Sequence, residues 1–561
     1  MVSRRGALFL TILLSAGALV ISSIAGQPAT RKQATPANRP RLISGLGAVH
    51  HRVSTTNAQA QKFFDQGLAL IYGFNHEAAR RCFEYAAELD PKLAMAWWGV
   101  ALSLGTNINL PVEPEAETAA YNAVQRALQL QENGSEAEKG YINALAFRYS
   151  KDQKPDLAQL EAAYRGAMAK LVQHYPDDLD ATSLYAESIM NLHPWKLWTH
   201  DGRPNEGTEE ILTVLESVLQ RDPNHLGANH YYIHAVEASP HPERALASAV
   251  RLQTLAPASG HLVHMPSHIF ARTGDFTGAA QANERAAAAD ERFVRDTGES
   301  GVYPVMYYGH NLQFLVYAYS MQGNFPAAKK AADKLVAHVL PNLKGMPMLE
   351  GFVAAPIFVL VAFERWPDIL GLAAPDRSLT YATAQWHFGR AMAFALTGKK
   401  PEAEAESKLF SADLARIPPD AQFDPLNSLA DVARVQENLL AAAIIRTRGK
   451  DTANGDRDED EAIQALQRAT AAEDNLNYTE PPSWYPPVRL ILGRLLLQRG
   501  KPVDAEKVFR TALEKTPRYQ AALIGLRDSL TAQQRTYEAG LIGEQLNALS
   551  TPKTISPLKK R

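Results

Sequence analysis

Six histidines and one glutamate in this 561-residue chain are spaced so that they could hold a metal ion. His230, His234 and Glu237 follow at steps of four and three, and His261, His264 and His268 at steps of three and four. On a helix such steps place side chains on one stripe. Neutral imidazole is the commonest nitrogen ligand for zinc and copper, and one-face His patterns are how helices present ligands to zinc. His310 extends the set, and eight of the 16 histidines fall between 225 and 310. His225 and His241 occupy positions between helices and read as surface residues. The expected ligands are His230, His234, His264 and His268, with Glu237, His261 and His310 in reserve. Nitrogen donors favour zinc or copper over calcium or magnesium. Two other uses fit the same residues: a groove whose imidazoles hydrogen-bond a peptide or anionic ligand, or plain packing.

These side chains must be positioned by helices, and the rest of the chain supplies them in a repeating frame. Phe63, Gly67, Leu70, Ala79, Phe83, Ala86 and Pro91 stand at positions 4, 8, 11, 20, 24, 27 and 32 of a 34-residue unit. Small residues at 8 and 20 let two helices approach, an aromatic at 24 fills the space beside them, and proline at 32 stops the second helix. Gly493, Ala505, Phe509, Ala512 and Pro517 repeat the frame near the C-terminus, and Gly274/Ala279, Gly323/Ala328 and Gly398/Ala403 repeat its Gly-to-Ala step of five. The pattern resembles the tetratricopeptide repeat, which implies an all-α, right-handed α-solenoid of roughly a dozen helix pairs. In such arrays positions 2, 5, 9 and 12 of the first helix line the concave groove. The resemblance therefore places His230, His234 and Glu237 (5, 9, 12), His261, His264 and His268 (2, 5, 9) and His310 (2) on that face. Pro266, at position 7, is expected to kink or start its helix. A start there would separate His261 and His264 from His268.

Further groove candidates are Asn107, Trp98, Glu187, and His193 with Trp195 in an insertion running from 191 to about 207. That insertion could form a lid, together with Trp198. A second insertion is expected near 294–308, and 456–461 reads as an acidic loop. The segments AsnLeuHisProTrpLysLeuTrp (191–198), HisTyrTyrIleHisAlaValGluAlaSer (230–239) and HisMetProSerHisIlePheAlaArg (264–272) carry a resemblance to large exported bacterial tetratricopeptide-repeat proteins with no assigned activity.

Composition narrows the function classes. With 46% hydrophobic and 21% charged residues the chain is ordinary globular material, and a net charge of −2 is not the basic footprint of a nucleic-acid binder. One cysteine, Cys82, excludes an intramolecular disulfide and thiolate zinc sites. No phosphate loop, haem-attachment motif, His-Glu-Xaa-Xaa-His helix or nucleophile elbow is present. Residues 1–25 place Arg4 and Arg5 before an apolar run ending in small residues, the pattern of a signal peptide. The expected order is signal peptide 1–25, flexible leader 26–55, an N-terminal solenoid with the His-rich groove 56–345, a plainer solenoid 346–548 and a basic tail 549–561. The expected product is an exported, periplasmic scaffold without a membrane span after signal removal; the alternative is an N-terminal membrane anchor. Its groove is expected to bind zinc or copper and a protein or peptide partner. A metal-free peptide scaffold is the alternative, and a hydrolase with Glu237 as general base is a third reading without a motif behind it.

Overall fold

The computed structural model describes residues 39–112, 114–152, 154–448 and 455–550. The signal pattern at 1–25, residues 26–38 of the leader, and 551–561 of the tail lie outside the described residues. Helices succeed one another as α1 Ala58–Tyr72, α2 His76–Leu89, α3 Ala94–Ser103, α4 Pro114–Leu130, α5 Glu136–Ala146, α6 Leu157–His174, α7 Leu179–Met190, α8 Thr208–Arg221, α9 Leu226–Glu237 and α10 Leu246–Leu255. Then follow α11 Gly260–His264, α12 Pro266–Arg272, α13 Phe276–Thr297, α14 Tyr308–Met321, α15 Phe325–Val339, α16 Glu350–Val353, α17 Ala355–Ala362 and α18 Trp366–Leu370. The array closes with α19 Thr380–Leu396, α20 Lys400–Leu414, α21 Leu429–Arg448, α22 Gly455–Asp474, α23 Arg489–Gln498, α24 Pro502–Lys515, α25 Gln520–Ala532 and α26 Thr536–Ser550. If α11–α12 and α16–α17 are each counted as one broken helix, the described residues form a run of twelve helix pairs. No β-strand occurs among the described residues. The fold is an all-α helical repeat.

The repeat frame works as its residue types dictate. Phe83 lies between Gly67 of its own pair and Gly99 of the next, and a Cβ at either glycine would overlap its ring. Phe509 sits in the same way between Gly493 and Gly525. The first and eleventh pairs thus use one device: an aromatic ring occupies the volume two missing methyl groups vacate. Helix starts are capped by side chains from the turns, among them Asn57, Asn75, Asp178 and Asp275. Gly274, Gly323, Gly398 and Gly500 take the left-handed conformation at the turn between the helices of a pair.

Several expectations need correction. Residues 456–461 do not form a loop; they open α22, where Asp456 and Asp458 complement the positive end of the helix dipole. Residues 39–55 of the expected flexible leader are laid on the array. Leu46 and Val53 are buried, the Ile43 amide donates to Gln66 Oε1 at 2.7 Å, and the Ala258 amide donates to the Gly45 carbonyl at 2.9 Å. The 345/346 boundary falls in an irregular connection of short helical turns, but one hydrophobic core runs through it from Leu46 to Ala539. No helix among the described residues is long and apolar enough to cross a membrane.

The first pair also packs on the fifth. Tyr72 at the end of α1 meets Tyr231 of α9 with ring centroids 6.0 Å apart, and a Cβ on Gly227 would overlap the Tyr72 ring. The described half of the leader is wedged at the same junction, with Gly47 against Leu226. This contact brings the Tyr72 carbonyl and the Phe74 ring against His230 of α9.

Candidate metal centre

The six histidines meet in two triads. Ligand atoms of His230, His234 and His261 all lie within 4.8 Å of one another, as do those of His264, His268 and His310. The first five side chains are fully buried, and His310 is half-buried. His230 and His234 come from α9, His261 and His264 from α11, His268 from α12 and His310 from α14. Pro266 does start a new helix. Met265 keeps helical dihedrals (φ −51°, ψ −36°), so the two pieces continue in direction and His264 and His268 stay paired, with rings 4.7 Å apart. The four expected ligands thus divide between two groups, His230 and His234 with His261, and His264 and His268 with His310.

The hydrogen bonds around these rings fix their tautomers. His230 Nδ1 lies 2.6 Å from the Tyr72 carbonyl, and His264 Nδ1 lies 2.6 Å from Asn283 Oδ1. His234 Nδ1 lies 2.9 Å from one oxygen of Glu237, and His268 Nδ1 bonds the other. Each of these partners accepts, so each Nδ1 donates, and on a neutral ring this leaves the lone pair on Nε2. His230 Nε2 and His234 Nε2, and both nitrogens of His261, are buried without a hydrogen-bond partner among the described residues. His264 Nε2 and His268 Nε2 face each other at 2.7 Å. At that distance the two nitrogens share a proton as a hydrogen bond, and that proton is what a metal ion would displace. Anchoring Nδ1 on a carbonyl or carboxylate so that Nε2 is free is the arrangement that orients histidines at metal sites.

Glu237 is thus not a ligand in this geometry. Both its oxygens are taken by ring N–H groups, one from each triad, which also removes it as a free general base. Burial pushes its carboxyl upward, but His268 and His234 outweigh that and hold it at about 2. Burial lowers His230, His261 and His264 well below the ordinary imidazole value, helped by neighbouring rings, and takes His310 to about 3. Those four rings are neutral at pH 7, with lone pairs free for a metal.

Aromatic rings wall the cluster. Phe74 touches His230, His234 and His261 at centroid distances of 4.5, 5.8 and 5.4 Å. Phe314 touches His264 and His268 at 5.2 and 5.4 Å, and Tyr307 meets His261 at 5.0 Å. Tyr307 is delivered by a π-helical turn, Tyr303–Tyr307, in the expected 294–308 insertion; single π turns are frequent at functional sites. Phe74 has φ +55° at the turn position where four other pairs carry glycine and two carry Glu364 and Gln534. An L-residue there costs about 1–2 kcal/mol, and its ring lies against three of the imidazoles. Trp195, with φ +61°, likewise lays its ring 6.0 Å from His234, while Trp198 Nε1 donates to the Ala235 carbonyl at 2.8 Å. The 191–207 insertion covers α9 through these two tryptophans.

The remaining groove candidates lie elsewhere. Trp98 is 2% exposed and packs on Tyr141 and Phe64, so it is core rather than groove-facing. Asn107 is buried and caps its own turn, accepting from the amides of Asn109 and Leu110. Glu187 is buried with one oxygen on Asn191, and burial raises its carboxyl to about 7. His193 is half-buried in the insertion. None of these four has a hydrogen bond or ring contact with the six imidazoles. His225 and His241 part company: His241 is exposed, but His225 caps α9 and reaches Asp180. His51 and Asp178 gather with Asp180 as a third cluster. There Asp180 accepts from Tyr72, His51 and His225 while Asp178 caps α7, so the cluster ties the leader to the array.

No protein-family model matches the chain, and no curated protein matches it. Similar solved structures include the Cut9–Hcn1 hetero-tetramer of the APC/C (13% identity, 84% of this chain and 76% of that chain, TM-score 0.31). Yeast Tom70 is similar at 11% identity, over 87% of this chain and 99% of that one, with TM-score 0.32. The P58(IPK) TPR domain is similar at 11% identity over 85% and 99%, with TM-score 0.20.

Proposed function

We propose that this helical-repeat scaffold is a metal protein whose buried histidine cluster takes up zinc or copper. The observation that carries the reading is the set of buried ring nitrogens without a hydrogen-bond partner among the described residues, His230 Nε2, His234 Nε2 and both of His261, beside the His264–His268 pair that has only itself. Leaving buried polar atoms unpaired costs about 1–3 kcal/mol each. A chain that concentrates them in one place is built to have them filled. Packing alone does not explain why every anchored ring turns the same nitrogen inward.

The burial also bears on partners. With five of the rings 0–3% exposed, a peptide has no access to the groove positions occupied by histidine, and a protein partner would have to use another face of the array. The pattern at 1–25 supports export, which would load the site outside the cytoplasm. The test is thermal: an ion that binds only the folded chain raises its Tm in step with concentration. Apo protein titrated with zinc or copper should gain stability, and His264→Ala/His268→Ala should gain less. No gain with either metal would reject the reading.

A further inference from the structure

The two triads adjoin. His261 and His264 stack at 5.9 Å across the boundary, and His234 and His268 meet there at 6.0 Å. Glu237 accepts from one ring of each triad, so a single carboxylate sets the orientation of both. Six imidazoles exceed what one zinc or copper ion takes, since structural sites stop at four ligands and open sites at three plus a free position. The ligand atoms fall into two separate groups of three, so one ion on the first triad would leave His264, His268 and His310 as a second complete set.

We infer that the cluster holds two copper ions side by side, one on each triad, and that the open position between them takes dioxygen. This rests on the metal reading above and extends it to ion number and ligand. Two-metal sites with ions about 3.5–4 Å apart clamp a small oxygen ligand between them. Glu237 is the only carboxylate hydrogen-bonded to these rings among the described residues, and the walls are Phe74, Phe314 and Tyr307. A low-dielectric pocket with one negative charge tolerates two monovalent ions better than two divalent ones, and neutral imidazole suits copper. On arrival of dioxygen each copper(I) gives up one electron. Dioxygen becomes peroxide with its O–O single bond intact, copper–oxygen bonds form to both ions, and both become copper(II). No proton moves, and the total charge of ions plus ligand stays at plus two. The ligand must be small, because His310 is the one ring of the six that reaches solvent.

The experiment loads the full chain with copper(I) under anaerobic conditions, counts copper, admits dioxygen and records absorption and electron paramagnetic resonance. About two copper ions per chain are expected, with a charge-transfer band that appears on oxygenation and fades under vacuum. The resonance signal should be nearly absent, because two bridged copper(II) spins pair. His310→Gln and His261→Gln should each hold about one copper, with a full resonance signal after oxidation and no reversible band. One copper per wild-type chain, or two with a resonance signal equal to the copper content, would overturn the pair while leaving a metal protein. Neither copper nor zinc bound would overturn both readings, and two ions without a band on oxygenation would overturn dioxygen as the ligand.

Discussion

Replacing Glu237 by glutamine changes one atom and should disturb both triads at once. The carboxylate accepts from His234 Nδ1 and His268 Nδ1. An amide of the same shape offers one oxygen and one NH2 group, so one ring would face a donor with its own donor. That ring can escape by moving its proton to Nε2, which blocks the lone pair meant for the metal. Loss of one charge-assisted hydrogen bond in a buried site is worth about 1.5–3 kcal/mol, and loss of an orienting partner typically costs about 10–100-fold in metal affinity. Glu237→Gln should therefore weaken copper or zinc by about 10–100-fold, equivalent to about 1.4–2.7 kcal/mol, with the fold preserved. Competition against a chromophoric chelator measures the affinity, and circular dichroism checks the fold. An affinity within twofold of wild type would refute the assignment of Glu237 as the shared anchor.

Phe74→Gly relieves a strained turn worth about 1–2 kcal/mol but removes a buried ring whose loss costs about 3–5 kcal/mol; denaturant melts should show a net loss of about 1–4 kcal/mol and a more accessible cluster. Gly99→Ala should destabilise the array by about 1–3 kcal/mol through overlap with Phe83. Gly166→Ala, with nothing within 4 Å of the added methyl, should instead stabilise α6 by up to about 1 kcal/mol, and thermal melts of the two variants should move in opposite directions. Asp180→Asn tests the leader tie through pH. Burial opposes charge on both Asp180 and His51, yet hydrogen bonds from His225 and His51 depress Asp180, and the one to Asp180 raises His51. The Asp180 contribution is present above its unfolded value of 3.8 and is lost as pH falls towards its depressed folded value. The His51 contribution is full below 6.5 and is lost as pH rises through its raised folded value. Chemical melts from pH 3 to 9 should show the largest gap between wild type and variant between those limits; a gap that is flat with pH would refute the tie.

Much of this was legible in the residues, and the rest depends on contacts the residues alone do not announce. Gly67, Phe83 and Pro91 reveal a repeat because each helix pair must solve the same packing problem locally. The second glycine against each phenylalanine, Gly99 and Gly525, belongs to the next unit and follows only once the units stack. Helical spacing brought the histidines to one stripe, since a stripe is a property of one helix. Their division into two triads depends on how α9, α11, α12 and α14 pack, and their burial depends on α1, more than 150 residues earlier in the chain than α9. Phe74 carries only a weak signal: four other pairs keep a left-handed glycine at its turn position, but Glu364 and Gln534 hold the same position in two more. Glu237 was read as a ligand because it shares the stripe, but its side chain is long enough to reach Nδ1 atoms on two rings. The acidic run at 456–461 predicts a loop because a run of acids is polar wherever it lies, although at a helix start it is also favourable.

Elemental analysis of the untagged wild-type chain beside His264→Ala/His268→Ala, both after exposure to zinc and copper and removal of the excess, tests the metal reading most directly. Metal retained at one or more ions per wild-type chain and diminished in the double variant is the expected result. Wild-type protein that keeps no metal, or a double variant that keeps as much, would contradict it.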